Sequence, residues 1–253
     1  MSKRALRRVG HKGAEAIAPG NTRASFDAAL EAGVDMIEFD VLVEPPADWP
    51  SISVAQAERR SWPDERLILA HDWVDASSRT PDTLEEGLAH LAEGRFDGIQ
   101  LDVDLKLPGY ELRVLEALRA HGLLERALIS SQYRSSLALI RRHEPSVRLG
   151  WSVPRLRRDP FRHRLLLPAS VAVLQMLRAV LPRRAARAIR ARECDALMAN
   201  WRLVTPALAR AVRGAGGELY AWTVDEPERI RQLERLGVTG VITNDPRLFA
   251  APA

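Results

Sequence analysis

The chain has 253 residues and a formal net charge of +4, a length at which a single α/β barrel can bury a full core. Its one cysteine, Cys194, excludes an internal disulfide and says little about compartment. No run resembles a signal peptide, because a strand pattern begins at Ala5, so the cytoplasm is the expected location.

Taken in order, short apolar runs alternate with helical patterns. Strand-like runs cover Ala5–Val9, Met36–Val43, Leu67–Ala70, Ile99–Leu105, Ala127–Ser131, Val147–Val153, Ala196–Ala199, Glu218–Trp222 and Gly240–Thr243. Helical patterns cover Thr22–Ala32, Thr83–Leu91, Glu111–Ala120, Ser135–His143, Pro206–Gly214 and Glu226–Leu236. Leu67–Ala70 follows Met36–Val43 with no helix between, which makes it an appended strand beside the barrel's second. Eight strands in a βα rhythm remain, and that rhythm predicts a (β/α)8 TIM barrel rather than an open doubly wound sheet. One domain over 1–253 is expected.

The run Met36–Val43 is the most informative. Apolar residues at 37, 39, 41 and 43 alternate, and Met36 and Leu42 are apolar as well, as in a strand covered on both faces. Glu38 and Asp40 lie two residues apart and so share a face. Burying two like charges is costly unless a cation joins them, so such a strand holds a metal or an acid/base pair. The alternative is a strand whose polar face meets solvent or Arg partners.

In a barrel, chemistry sits at the C-terminal ends of the strands. There the chain places His11 and Lys12, Glu38 and Asp40, and His71 and Asp72. Asp102, Asp104 and Lys106 share one strand face, and Ser130, Ser131, Gln132, Trp151, Ser152, Asn200, Trp222, Thr223 and Asn244 close the later strands. Nearly every strand delivers its polar residues at the same end, which points to a site. Only Lys3, Lys12 and Lys106 are lysines among 37 basic residues, and two of the three stand beside candidate catalytic groups.

These residues fall into ordered motifs. His11-Lys12-Gly13, Pro19-Gly20-Asn21-Thr22, Ile37-Glu38-Phe39-Asp40-Val41 and His71-Asp72 resemble the HRG, PENT, IExDV and HD runs of the glycerophosphodiester phosphodiesterase family. The eight residues from His11 to Pro19 match that family's offset. Pro81-Asp82-Thr83-Leu84-Glu85-Glu86, Asp104-Leu105-Lys106, Trp222-Thr223-Val224 and Gly237 to Pro246 are similar to its later motifs. The resemblance covers the chain except about 44–66 and 154–195, which are expected as insertions.

The resemblance implies a TIM barrel that hydrolyses glycerophosphodiesters or lysophospholipids with a divalent cation, Mg²⁺ or Ca²⁺. Glu38, Asp40 and Asp104 fall on its metal positions, and three carboxylates suit either ion. His11 and His71 fall on the acid/base pair, two groups able to exchange protons near neutral pH. The attack is implied to come from the substrate's own glycerol 2-hydroxyl. Lys12 and Lys106 would add positive charge around the phosphate, and Trp222 would wall the pocket against the glycerol. Each residue alone has a plainer reading: a strand-end His, a packing Trp, and for Asp102 a supporting partner or an ion pair. His90, His121, His143 and His163 are expected at the surface. Three departures stand out: Lys12 replaces a forked Arg, Gly20 replaces a carboxylate, and Asp104 replaces a longer Glu. Gly20 and Lys12, together with the basic insertion at 154–195, motivate an alternative function, a catalytically weakened barrel that binds lipid headgroups or a membrane surface.

Residues 154–192 hold eleven Arg against the single acid Asp159. Inside them Leu165–Leu167 and Val171–Leu181 form an apolar run that is short and interrupted by Pro168 and Arg178, which excludes a membrane span. An amphipathic helix with basic flanks fits peripheral contact with an anionic membrane, at its inner face; a lid or dimer helix is the alternative. The Arg cluster carries no interleaved aromatics, so nucleic acid is not an expected partner.

Overall fold

A computed structural model of the chain describes residues 5–155 and 167–250. Nine strands form one sheet: β1 (Arg7–Gly10), β2 (Met36–Val43), β3 (Leu67–Leu69), β4 (Gln100–Leu105), β5 (Ala127–Ser131), β6 (Arg148–Val153), β7 (Ala196–Asn200), β8 (Glu218–Trp222) and β9 (Gly240–Thr243). Parallel pairing runs from β1 through β2 and β4 around to β9, and β9 returns to β1, so eight strands close a barrel. The ninth, β3, is antiparallel to β2, with Val41 opposite Leu69 and Val43 opposite Leu67.

β2 explains its own composition. Its first residues pair with β1 and β4, and its last three carry β3, so all eight are buried. Odd positions such as Ile37, Phe39 and Val41 pack outward in one large core with Leu88, Leu101 and Val114. Even positions point into the barrel, where Met36 joins Val9, Leu128, Met198, Tyr220 and Ile242. That apolar plug fills the lower barrel. It is tight: a Cβ at Gly150 would lie 2.8 Å from Leu128 and 3.0 Å from Ser130, so glycine is required there. Above the plug, the same inward face presents carboxylates.

The helices flanking the barrel include α1 (Arg23–Glu31), α2 (Val54–Ala57), α3 (Trp73–Ser78), α4 (Leu84–Leu91), α5 (Glu111–Ala120), α6 (Arg134–His143), α7 (Leu167–Arg190), α8 (Pro206–Gly214) and α9 (Pro227–Leu236). Thr22 and Thr83 start α1 and α4 with capping boxes. From Leu167 on, the apolar run of the basic segment belongs to α7, which is longer than that run and continues through Pro182 to Arg190. Its second half is packed on the barrel through Leu181, Ala185, Ala188 and Ile189. Residues 156–166, the front of the basic segment, lie outside the described residues, as does His163. No helix among the described residues is long and apolar enough to cross a membrane.

Candidate active site

Each strand end contributes through a local device. After β1 the chain turns back over the barrel mouth, and Lys12 takes a left-handed conformation with φ 49°. That conformation aims its backbone N–H at Glu38 Oε2, 2.8 Å away. Ser25 in α1 ties the turn down, donating from Oγ to the Lys12 carbonyl at 2.8 Å. Asn21, also left-handed at φ 58° and fully buried, grips Asp40 twice. Its Nδ2 donates to Asp40 Oδ2 and its Oδ1 accepts from the Asp40 amide, both at 2.9 Å. The short β3 then delivers His71, whose Nδ1 lies 3.1 Å from Asp40 Oδ2.

Glu38, Asp40 and Asp104 come together, with one carboxylate oxygen of each within 4.8 Å of the others. Oxygens bound to a single Ca²⁺ at about 2.4 Å can be no further apart than this. Asp40 Oδ1 is buried with no hydrogen-bond donor aligned on it, although the Lys106 ammonium stands 2.5 Å away as a point charge. Lys106 also donates to Asp104 Oδ2 at 2.6 Å. Three carboxylates converging on one point, with a lysine drawn in among them, fit a divalent cation.

Burial and charge set the protonation states. Burial, then the neighbouring Asp40, pushes the Glu38 carboxyl up to about 7. Burial would raise Asp40 too, but Lys106 and His71 hold it well below the usual carboxylate range. Burial works against charge on His11, yet Glu38, Glu15 and Asp40 raise it to about 9. The Lys106 ammonium is likewise kept charged against burial by Asp104, Asp40 and Glu38. Asp102 lies below the cluster, where burial and then Glu38 push its carboxyl well up; it accepts from Ser130 Oγ at 2.7 Å. It is therefore a supporting partner, not an ion pair.

Two anchors escaped sequence reasoning. Asn244, noted only as a polar strand-end residue, places Oδ1 2.5 Å from His11 Nδ1. Its own amide is fixed by Asp225, which accepts from Nδ2 at 2.7 Å. Glu15 pairs with Lys12 Nζ at 3.0 Å and stands 3.4 Å from His11 Nδ1. The hydrogen bond to His11 and the Lys12 charge lower the Glu15 carboxyl to about 2. A side chain at Gly20 would begin 3.0–3.2 Å from Lys12 and Glu15, so Glu15 brings a carboxylate beside the position where Gly20 lacks one. The signal available in the sequence was this local exchange of Glu for Gly within one loop.

Trp222 closes β8 half-exposed, with its Nε1 donating to the Met198 carbonyl at 2.8 Å, so its indole is set by the barrel. The stretch 44–66 forms part of the mouth itself. Glu58 accepts from the Tyr133 hydroxyl at 3.2 Å and pairs with Arg155 at 2.7 Å, which links the β2–β3 connection to the ends of β5 and β6. His90, expected at the surface, is half-buried on Asp27 at 2.7 Å and against the Phe96 ring.

A sequence model of the glycerophosphoryl diester phosphodiesterase family matches residues 11–43 and 125–248. This chain belongs to that family. The phosphodiesterase is thus a phosphoric diester hydrolase on a TIM barrel. It is 25% identical to a glycerophosphodiester phosphodiesterase of Caldanaerobacter subterraneus subsp. tengcongensis, over 94% of this chain and 93% of that one. It is 27% identical to glycerophosphodiester phosphodiesterase GDPD4 of Arabidopsis thaliana, over 94% of this chain and 70% of that one. Among solved structures, a putative glycerophosphoryl diester phosphodiesterase of Agrobacterium tumefaciens superposes with a TM-score of 0.71 at 19% identity, covering 97% of both chains. A phosphodiesterase of Oleispira antarctica, solved in complex with the product sn-glycerol-3-phosphate, gives 0.62 at 18% identity over 97% of both chains. These solved structures share the fold.

Proposed function

We propose that this phosphodiesterase cleaves glycerophosphodiesters and lysophospholipids to an alcohol and a glycerol phosphate, with His11 and His71 moving the protons. The observation that carries this reading is the anchoring of both rings beside the three-carboxylate cluster. Asn244 Oδ1 and Asp40 Oδ2 can only accept, so each takes the Nδ1 proton of its His. Nε2 of each ring is then the nitrogen that exchanges a proton; on His11 it stands 3.9 Å from Glu38. One His removes the proton of the glycerol 2-hydroxyl as that oxygen attacks phosphorus, and the other protonates the departing alkoxide. Water opens the resulting cyclic phosphate with the two roles reversed.

Glu38, Asp40 and Asp104 would hold Mg²⁺ or Ca²⁺, which supplies positive charge to the phosphate oxygens when bound. Lys106 and Lys12 add fixed positive charge where the transition state gathers negative charge, and Trp222 walls the pocket against the glycerol. The glycerol phosphate bound by the Oleispira antarctica phosphodiesterase supports the product class. The alternative of a weakened binding module rested on Gly20 and Lys12, and Glu15 beside Lys12 favours catalysis instead. We place the barrel, as one domain, on the cytoplasmic side, where the inner leaflet is anionic.

The test is choline release from glycerophosphocholine and lysophosphatidylcholine, in chelator and then with Mg²⁺ or Ca²⁺ restored. Chelator should abolish release and a cation should recover it. His11→Ala and His71→Ala should each cost on the order of 10²–10⁴-fold with the fold intact. Full turnover in excess chelator, or in either His variant, would sink the assignment.

A further inference from the structure

Seven large apolar side chains are exposed among the described residues. Six lie on connections that leave the catalytic ends of barrel strands, and Val74 follows β3, which is antiparallel to β2. Ile17 is in the turn between β1 and α1, and Val54 is in α2 between β2 and β3. Val74 is in α3, three residues after the active-site His71, and is 67% exposed. Val171, Val173, Met176 and Val180 are on α7, with Met176 58% exposed. The opposite end of the barrel exposes none among the described residues. Surface apolar residues normally scatter singly, and a one-sided set marks a contact.

The height of α7 against the barrel follows from its neighbours. Near its C-terminus Ile189 packs where a Cβ on Gly217, just before β8, would meet it at 2.6 Å. Further up, Arg178 Nε donates to the Arg202 carbonyl at 2.8 Å, and Arg202 follows the catalytic end of β7. Val171 is seven residues beyond Arg178, and at 1.5 Å per residue the helix rises roughly 10 Å past that level. The apolar half of α7 thus stands above the rim, between β6 and β7. Val54 and Val74 stand across the mouth beside β2 and β3.

Charge selects the occupant. α7 carries five Arg and no acid. Below the apolar half, Arg183, Arg184, Arg187 and Arg190 are exposed and have no ion-pair partner among the described residues. Some surface Arg elsewhere are paired, as Arg8 is with Asp35 and Arg66 with Glu44, while exposed Arg59, Arg142 and Arg210 stand singly on separate elements. The apolar side chains are spread over four separate connections rather than lining one groove. Arg183 and Arg184, within about 9 Å of the Arg178 level along the helix, fit an anionic surface there; Arg187 and Arg190 lie lower, toward the start of β8.

We infer that the catalytic face docks on the surface of an anionic phospholipid bilayer, with the first half of α7 and the α2–α3 side of the mouth entering the headgroup layer. The pocket then opens onto the membrane, where a lysophospholipid presents its headgroup with its chain still in the leaflet. That substrate side rests on the proposed hydrolysis, whereas the docking does not.

The experiment is co-sedimentation with vesicles of phosphatidylcholine and phosphatidylglycerol in equal parts, and with phosphatidylcholine alone. Turnover of soluble glycerophosphocholine and mass in solution are measured beside it. The native protein should bind the mixed vesicles and be released by salt. Met176→Asp and Val74→Asp, on opposite sides of the mouth, should each weaken binding roughly tenfold or more, with soluble turnover unchanged. Arg183→Glu with Arg184→Glu should weaken it in low salt only. No binding to mixed vesicles, or equal binding to neutral ones, overturns the proposal. So does a loss confined to Met176→Asp together with a halved mass, which assigns α7 to a second copy of the chain. Vesicle binding without any glycerophosphocholine turnover would overturn the hydrolytic reading and leave docking standing.

Discussion

Asn244 Oδ1 accepts from His11 Nδ1 at 2.5 Å, across 233 positions of sequence. Because Asp225 holds the other end of that amide, the carbonyl oxygen and not the nitrogen faces the ring, and His11 keeps the tautomer with Nε2 as its exchanging nitrogen. Asn244→Ala should therefore lower kcat on the order of 10–10²-fold, with KM little changed. It should also shift one limb of the pH–rate profile, a change that a purely structural role would not produce. An unchanged profile would remove Asn244 from the positioning of His11.

Glu15 and Gly20 form an exchangeable pair. Glu15→Ala should free the Lys12 ammonium and raise KM for glycerophosphocholine several-fold. Gly20→Glu alone should crowd Lys12 and Glu15, since its Cβ would begin at 3.0–3.2 Å. The double variant, with the carboxylate moved from 15 to 20, should recover turnover toward the native level. Steady-state kinetics on the three variants decides it; additive losses would show that the two positions do not share one space.

In the cation-free protein, His11 is held near 9 against an ordinary 6.5. A His raised in the folded state contributes stability that is fully present below 6.5 and is lost as pH rises through about 9. The shift sets a ceiling on the order of 3 kcal/mol. Burial opposes the shift most; Glu38, Glu15 and Asp40 overcome that burial and the smaller opposition of Lys12. In chelator the Tm should fall between pH 7 and 9.5, and His11→Gln should flatten that fall. A Tm independent of pH over this window would contradict the charge pattern.

Lys106 neutralises the buried Asp40 and the half-buried Asp104. Lys106→Met leaves the three carboxylates facing each other with only the two histidines to offset them, and removal of one partner from a buried charge group costs about 3–5 kcal/mol. Chelated Lys106→Met should melt well below the native protein, and added Ca²⁺ or Mg²⁺ should restore much of the loss. Calorimetry with and without cation checks this, and a variant insensitive to cation would count against the three-carboxylate site.

The barrel was legible because its rules are local. Two-residue periodicity, βα spacing and the parity of Glu38 and Asp40 all survive in a single sequence. β3 was legible as an appended strand, although the connection before it, expected to lack a helix, carries the single turn α2. The anchors were not. Asn244 and Asp225 reach His11 only when β9 closes onto β1, a contact no short window contains. Glu15 sits in an aperiodic turn, and Asn21 acts through a left-handed backbone that sequence pattern does not announce. His90 was misplaced because Asp27 and Phe96, which cover it, come from other elements. The amphipathic run of α7 was readable, but which half stays uncovered depended on where the barrel takes hold of Leu181 and Ile189.

The route by which His71 arrives has a consequence of its own. Of the two histidines, only His11 follows a barrel strand; His71 hangs from β3, three residues that pair with the far end of β2 outside the closed ring. Its three residues are buried in the main core, and Ile68 bridges to Thr83 on the other side, so His71 is held by that packing and not by the closure of the barrel. Substitutions that loosen Ile68 or Leu69 should therefore lower activity more than they lower the melting temperature of the barrel. Robustness of the scaffold and robustness of the chemistry are separate properties here, set by different contacts.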